Sequence, residues 1–584
     1  MTSRWRLRPF DSDRVAALSR EANLSPLIAQ LLLNRGVVDA EGAATFFDKR
    51  LVGLHDPSTI PGVVEAADRI VAAIRDGRKI VIYGDYDVDG VCGTTILWAC
   101  LKLAGAKHVD YYIPHRVEEG YGVNGDALRR LVAEGGAELI VTVDCGISAV
   151  AEARLARELG VEFIITDHHA IGPDLPGADV LVHPGLPGSR YPFGDLCGCG
   201  VAFKLAWQIC KGFGDGKRAS PHLRDFLLRS IGLVAMATVA DVMPIHGENR
   251  ILIRSGLVEL SQTANEGLKA LMEVSGFVGK SLNTGNIGFG LAPRINAAGR
   301  LERAMQAVEM LTTLDPVVAM DHAKALDSCN KQRQEVEKRI VDEAHEMLAA
   351  QGGLKDRGAI VLGREGWHPG VIGIVAGRIA ETYHRPAIVV ALGAEHGQGS
   401  ARSIAGFNLY DALRSCSEGL TAFGGHAAAA GLKVPRAHFD AFAERFEAHC
   451  RGALSAEQLQ KSLLVDAEVP LGALTLRVVE AIETLEPHGI GNPKPLLVAN
   501  RVRVAGEPKA CGDRKQHLQV RFCQGETSHK AIGWNLAERG KALKAGTLCS
   551  VAFCPSINEW NGRRDVQLEL KDFRIEEEGH AQSA

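Results

Sequence analysis

Lys79-Ile-Val-Ile-Tyr-Gly-Asp-Tyr-Asp-Val-Asp-Gly90 sets an apolar run directly against three carboxylates. Unbroken Val/Ile runs without polar alternation predict strands covered on both faces, the mark of a parallel sheet. Working outward, Glu138-Leu-Ile-Val-Thr-Val-Asp144, Gly160-Val-Glu-Phe-Ile-Ile-Thr-Asp167 and Asp179-Val-Leu-Val-His183 have the same texture. Helical patterns over 94–104 and 149–159 separate them, so the region reads as a doubly wound α/β domain. Ligands of such sheets bind at the carboxyl ends of the strands. The first strand ends on Asp85, Asp87 and Asp89, the second on Asp144, and the third on Asp167-His168-His169. The sheet therefore gathers on one edge side chains that lie far apart in the chain. Asp241, after the apolar stretch Ile231–Ala240, supplies a further acid.

A single Asp at a strand end ordinarily caps the next helix, and a His-His pair is ordinarily structural. Three aspartates within five residues exceed what one cap uses. Carboxylates and imidazoles that converge without a compensating Lys repel one another unless a hard divalent cation neutralises them. That donor set suits Mn²⁺ or Mg²⁺. Two ions roughly 4 Å apart clamp the attacking and leaving oxygens of a phosphoryl centre and lower the pKa of a bound water. The residues thus predict a two-ion phosphoesterase. Gly84 and Gly90 flank the cluster and let the backbone turn tightly. An EF-hand loop is excluded by its missing Glu and spacing. Cys197-Gly-Cys199 with Cys210 lacks a second pair at metal-ligand spacing and reads as packing thiols.

The 584 residues leave room for three or four domains at roughly 100–200 residues each. Net charge is −4, so only local charge can point to a polyanion partner. The basic N-terminus Met1-Thr-Ser-Arg-Trp-Arg-Leu-Arg8 lacks the apolar core of a secretory signal. No apolar run approaches the roughly 20 residues that span a bilayer. Thirteen cysteines in a chain this long fit no disulfide framework. A cytoplasmic monomer with no membrane partner is expected.

Asp315-Pro316 predicts a helix start, with Asp as cap and Pro in the first turn. The pattern, with Val336, Ile340, Ala344 and Met347 on one stripe, continues to Gly352-Gly353. Its length of about 50 Å is that of a helix bridging domains. A second α/β segment follows, with strands at Ala359-Ile-Val-Leu and 386–392 around a helix over 371–383. From about Leu463, short alternating strands at 501–504, 517–522, 547–553 and 565–570 predict a small OB-like β-barrel. Over 501–574, 14 Lys/Arg face 8 Asp/Glu, a local excess suited to a nucleic-acid strand. Phe522, Trp534, Phe553 and Trp560 are candidate stacking platforms, of which at least two should be barrel core. The predicted order is an N-terminal segment (1–50), a catalytic α/β domain (51–314), a connecting helix (315–353), a second, smaller α/β domain (354–455), the barrel (460–575) and a disordered tail (576–584).

Tyr83-Gly-Asp-Tyr-Asp-Val-Asp-Gly90, Val143-Asp-Cys-Gly146, Thr166-Asp-His-His169 and Ala240-Asp-Val-Met-Pro244 resemble the ordered motifs of the DHH phosphoesterase superfamily. Ala292-Pro-Arg-Ile-Asn-Ala-Ala-Gly-Arg300, Trp367-His-Pro-Gly-Val-Ile-Gly-Ile-Val-Ala376, Gly399-Ser-Ala-Arg-Ser403 and Phe423-Gly-Gly-His-Ala427 narrow the resemblance to its single-strand-specific 5′→3′ DNA exonucleases. It spans about residues 50–570 with no motif missing. The resemblance implies Asp85, Asp87, Asp144, His168 and Asp241 as metal ligands. Asp89 and His169 then either bind directly or hold a ligand in place, and His169 alternatively acts on the leaving group. It also implies that the second α/β domain closes over substrate. Gly424-Gly425-His426 reads as a loop whose amides approach a phosphate while the imidazole donates to it. Ser400 and Arg402 fall on one side of an extended segment, suited to a terminal phosphate. Arg116 and Arg294 are the arginines expected to join them from the first domain.

The implied activity is hydrolysis of single-stranded DNA to 5′-mononucleotides in recombination and repair. One alternative is a phosphatase of short oligonucleotides or nucleotide bisphosphates, which would not need a basic barrel. Another is an inactive DNA-binding scaffold, which would have lost acidic ligands. No Gly-x4-Gly-Lys-Ser/Thr stretch occurs. Strand opening therefore falls to a partner helicase, and a single-strand-binding protein is the other expected partner.

Overall fold

The computed structural model describes residues 3–576 apart from 117, 302–303 and 561. The chain forms two units: Lys49–Leu459, and Met1–Asp48 together with the residues from Gln460 onward. The larger unit is built on a five-stranded parallel sheet. Its order is Val109–Tyr112, Ile80–Tyr83, Leu139–Thr142, Glu162–Thr166, Val180–Val182. The chain leaves Ile80–Tyr83 toward the edge strand on one side and returns to Leu139–Thr142 on the other, so the crevice between 80–83 and 139–142 is the topological switch point. Tyr83 pairs with Thr142 in register, and Asp85 and Asp144 therefore emerge side by side. Val109–Tyr112 has no counterpart among the expected strands. As an edge strand with Asp110 exposed and both tyrosines half-buried, it lacks the apolar run.

The helix expected from residue 94 begins at Val88. Asp87 caps it, its Oδ1 accepting from the amides of Asp89 at 2.8 Å and Gly90 at 3.3 Å. Gly90 is therefore helical, and its role is room: a Cβ there would lie 2.5 Å from the Asp85 backbone. The helices Gly198–Gly212 and Pro221–Ala240 pack against Val88–Leu103 in the main apolar core. Asp315 caps a helix over Pro316–Ala350, accepting from the amides of Val317 and Val318.

That helix leads into a mixed sheet ordered Ala422–Gly425, Ala429–Pro435, His396–Arg402, Ala387–Leu392, Ile360–Glu365. One face is covered by Ile372–Tyr383 and the end of the long helix. The other is covered by Leu409–Ser415 and Phe439–Ala453.

In the smaller unit, Leu497–Val504, His517–Gln524, Thr527–Gly533, Arg563–Ile575 and Leu548–Trp560 pair in turn, and the last returns to the first. This closed five-stranded arrangement is the OB-fold barrel. Phe522 and Phe553 lie in its core, whereas Trp534 and Trp560 are 56% and 73% exposed. Residues 1–48 do not stand apart. Arg4–Leu7 runs parallel to Ser462–Val465, and Trp5 Nε1 donates to Asp572 Oδ2 at 2.9 Å. The helix Pro26–Leu33 buries Ile28, Leu31 and Leu32 in the barrel's apolar cluster, which a run this apolar requires. Of the tail expected to be disordered, residues 577–584 lie outside the described residues. No described helix is long and apolar enough to cross a membrane.

Candidate active site

The acids and imidazoles expected at the sheet edge meet there. Asp85, Asp87 and Asp144 bring ligand atoms within 4.8 Å of one another, as do Asp144, His168 and His169, and Asp89, His168 and Asp241. His168 Nε2 stands 3.2 Å from Asp144 Oδ1, 3.6 Å from Asp241 Oδ2 and 3.7 Å from Asp89 Oδ2. Yet His168 Nε2, Asp144 Oδ1 and Asp85 Oδ1 are buried without a hydrogen-bond partner. An orphaned buried polar atom costs about 1–3 kcal/mol, so three in one cluster mark a place built for a cation. Carboxylates with one or two imidazoles fit Mn²⁺ or Mg²⁺. The overlapping groups, which share Asp144 and His168, hold donors enough for two ions.

Without a cation the carboxylates cling to protons. Burial, reinforced by neighbouring carboxylates, pushes Asp85 and Asp144 well above their ordinary range and raises Asp87. The same causes lift Asp241 to about 8. Burial holds His168 below its usual value. Asp144 and Val242, the neighbour of Asp241, have φ of 65° and 59°. Such left-handed non-glycine residues cost about 1–3 kcal/mol each and gather at functional sites.

Two supports have roles that the sequence does not reveal. Asp167 Oδ1 accepts from the amides of His168 at 2.7 Å and His169 at 3.1 Å and from His169 Nδ1 at 2.7 Å, while Oδ2 accepts from Ile147 N at 2.9 Å. Burial opposes the charge of Asp167, but the His169 partner and the amides hold it near 2. Burial likewise opposes His169, and Asp167 overrides it, lifting the imidazole to about 9. The second support is the amino end of Gly198–Gly212. Its amides at Gly198 and Cys199 donate to Asp89 Oδ2 and Oδ1 at 2.7 and 2.8 Å. A Cβ on Gly198 would lie 2.4 Å from Asp144 Oδ1. The Cys197-Gly-Cys199 stretch thus cradles two acids through its backbone, and Cys197 Sγ caps the helix by accepting from Gly200 N.

The helix Ala292–Leu301 closes the acidic loop from the opposite side. Asn296 Oδ1 accepts from Val88 N at 3.1 Å, and a Cβ on Gly299 would lie 2.6 Å from the Tyr86 carbonyl oxygen. Arg294, expected at the phosphate site, has other partners in this structure. Its guanidinium is committed to Asp327 at 2.9 Å and to the Gly290 carbonyl at 2.7 Å. Arg300, six residues on, lies among the other arginines. It is driven down to about 10 by burial and by the charges of Arg116, Arg333 and Arg402, and it donates to the Gly370 carbonyl. Arg402 Nη1 donates to Ser400 Oγ at 3.1 Å, and burial with the Arg116 charge lowers its pKa. A Cβ on Gly373, in the first turn of Ile372–Tyr383, would lie 3.0 Å from Ser400 Oγ and 3.3 Å from Arg402 Nη2. Arginines converging beside a hydroxyl and a helix amino end are an arrangement suited to an anion.

On the other flank, a cavity of about 370 Å³ is lined by Tyr121, Gly146, Asp167, His169 and His426. Gly424 and Gly425 form the strand that enters the hairpin before it. Gly424 has open space where a Cβ would stand.

Models of three families match the chain: the DHH family N-terminal domain over residues 79–231, the DHHA1 domain over 356–452 and the RecJ OB domain over 465–572. The single-stranded-DNA-specific exonuclease RecJ of Bacillus subtilis is 40% identical over 98% of this chain and 71% of its own length. That of Escherichia coli is 32% identical over 97% of this chain and 99% of its own length. A crystal structure of RecJ from Thermus thermophilus in complex with Mn²⁺ superposes with a TM-score of 0.82 at 32% identity, covering 98% of this chain and 80% of that one. With three matched domains in the same order and near full-length identity, the chain belongs to the RecJ family of single-stranded-DNA-specific exonucleases.

Proposed function

We propose that the enzyme degrades single-stranded DNA from the 5′ end to 5′-mononucleotides, with two Mn²⁺ or Mg²⁺ ions held by Asp85, Asp87, Asp144, His168 and Asp241. The observation that carries this is the placement of an arginine pocket beside an acidic centre with orphaned buried donors. The bound ions supply charge neutralisation at the phosphoryl group and a lowered pKa for the attacking water. Ser400, Arg402, Arg116 and Arg300 grip a terminal phosphate through charge-assisted hydrogen bonds. That grip sets the cut one nucleotide from the end. Asp89, fixed by the Gly198 and Cys199 amides, and Asp144, fitted against Gly198, keep the acidic edge in place. His169, its Nδ1 proton held on Asp167, turns Nε2 toward the leaving oxygen, where it can donate a proton. Gly424, Gly425 and His426 approach the strand beyond the cut.

The barrel adds a second grip through its surplus cations and through Trp534 and Trp560. A helicase supplies the strand and a single-strand-binding protein covers it. The enzyme acts as a monomer in the cytoplasm, a setting in which thirteen free thiols persist. Digestion of one strand labelled at either end tests the polarity. The 5′ label should appear as mononucleotide from the first turnover, while the 3′ label runs as a shortening ladder; the reverse pattern contradicts the reading.

A further inference from the structure

We infer that Tyr121 is a positioning residue for His169, and that the loop carrying it couples recognition of the 5′ phosphate to the rate of cleavage. The inference rests on the phosphate pocket proposed above. Tyr121 Oη lies 3.0 Å from His169 Nδ1, 3.2 Å from Nε2 and 3.3 Å from the Asp144 carbonyl oxygen. The two rings meet edge to face at 5.4 Å. Tyr121 is 54% exposed, so its ring is not placed there to fill a core. What it does is bridge the end of one strand to the imidazole at the end of the next.

The same loop carries Arg116. Its guanidinium lies 4.8 Å from the ring of Tyr86, and Tyr86 meets Tyr121 edge to face at 6.5 Å. Guanidinium, two phenol rings and imidazole thus form a continuous series from Arg116 to His169.

The loop is tied at both ends. Glu119 accepts from Tyr112 Oη at 2.6 Å and His115 N at 2.9 Å, and Asn124 N donates to Tyr83 Oη at 3.1 Å. Arg116 itself makes no ion pair among the described residues. A phosphate seated on Arg116 supplies the missing anchor, which presses Tyr86 and Tyr121 into place and fixes the imidazole. A 5′-hydroxyl strand leaves Arg116 unengaged and His169 held by Asp167 alone. The phosphate therefore acts on kcat as well as on KM.

The test is a two-by-two comparison: wild type and Tyr121→Phe, each on the same strand with a 5′ phosphate or a 5′ hydroxyl, read as single-turnover release of the first nucleotide at saturating Mn²⁺. The Phe variant keeps the ring and loses the hydroxyl. The phosphorylated strand should be cut about tenfold more slowly with KM within about twofold, and the hydroxyl strand should change by less than about twofold. The advantage conferred by the phosphate then shrinks by at least about fivefold. Both strands meet the same preparation, so partial unfolding would slow them equally and could not mimic a selective loss. A variant with an unchanged phosphate advantage overturns the coupling alone. A wild type that does not distinguish the two strands overturns the phosphate pocket and the coupling together.

Discussion

At the residue scale, the acidic centre stores repulsion that a cation relieves. Asp241, at about 8 in the folded protein against an ordinary value near 4, gives the sign. Between those two values the unfolded chain has released its proton and the folded one has not. Folding stability therefore falls as pH rises from about 4 to about 8, by up to about 1.4 kcal/mol per pH unit for this one group. The melting temperature of chelated protein should drop from pH 6 to pH 8, and Mn²⁺ should abolish the drop; a pH-independent chelated melt would argue against the repulsion.

Gly198 carries the next expectation. A methyl group 2.4 Å from Asp144 Oδ1 displaces that carboxylate, so Gly198→Ala should weaken Mn²⁺ binding about 10–100-fold, measured by titration calorimetry, and lower stability by about 1–3 kcal/mol, as the clash reaches the Asp144 Cβ as well as its oxygen. The carboxylates were legible in the sequence because strand ends in a parallel sheet converge. Gly198 was not, because its amide and its missing side chain act through space on residues more than fifty positions away. Asp167 was visible as an acid, but nothing in the sequence distinguishes a carboxylate that faces a cation from one that faces amides.

At the scale of elements, the helix Ala292–Leu301 decides how closely the acidic loop is held. Gly299 touches the Tyr86 carbonyl, so Gly299→Ala must push helix and loop apart. A loss of about 1–3 kcal/mol in stability and about a hundredfold in kcat is expected from denaturant melts and steady-state kinetics. A variant with wild-type kcat would show that the loop is set by its own helix cap. The motif Ala292–Arg300 offered two arginines, and helical geometry separates them. Six residues turn the helix through about 600°, leaving the two about 120° apart on its circumference. Arg294 accordingly meets Asp327 on the long helix, and Arg300 turns toward Arg116 and Arg402. Sequence periodicity states that separation, but not which face turns toward the site. The edge strand Val109–Tyr112 was hidden for a related reason, since half-exposed strands do not show the apolar run of buried ones.

At the scale of the whole molecule, the first 48 residues belong with the barrel, through a parallel strand pair between Arg4–Leu7 and Ser462–Val465. No local pattern announces a pairing between positions more than 450 apart. Truncation after residue 459 alone should leave the apolar helix Pro26–Leu33 without its core and yield aggregating protein. The fragment 49–459 should stay soluble and cut short oligonucleotides. It should bind long strands more weakly, with a flatter dependence on salt, because the cation excess of the barrel is gone; an unchanged salt slope by fluorescence anisotropy would remove the barrel from strand binding.

The central claim is that the carboxylates at the sheet edge form a cation-dependent hydrolytic centre. The most direct measurement is digestion of a 5′-phosphorylated single strand by wild type and Asp87→Ala, with Mn²⁺, with Mg²⁺ or with chelator. Cleavage should require wild-type Asp87 and a divalent ion together. Digestion that survives the chelator, or that Asp87→Ala retains, would contradict it.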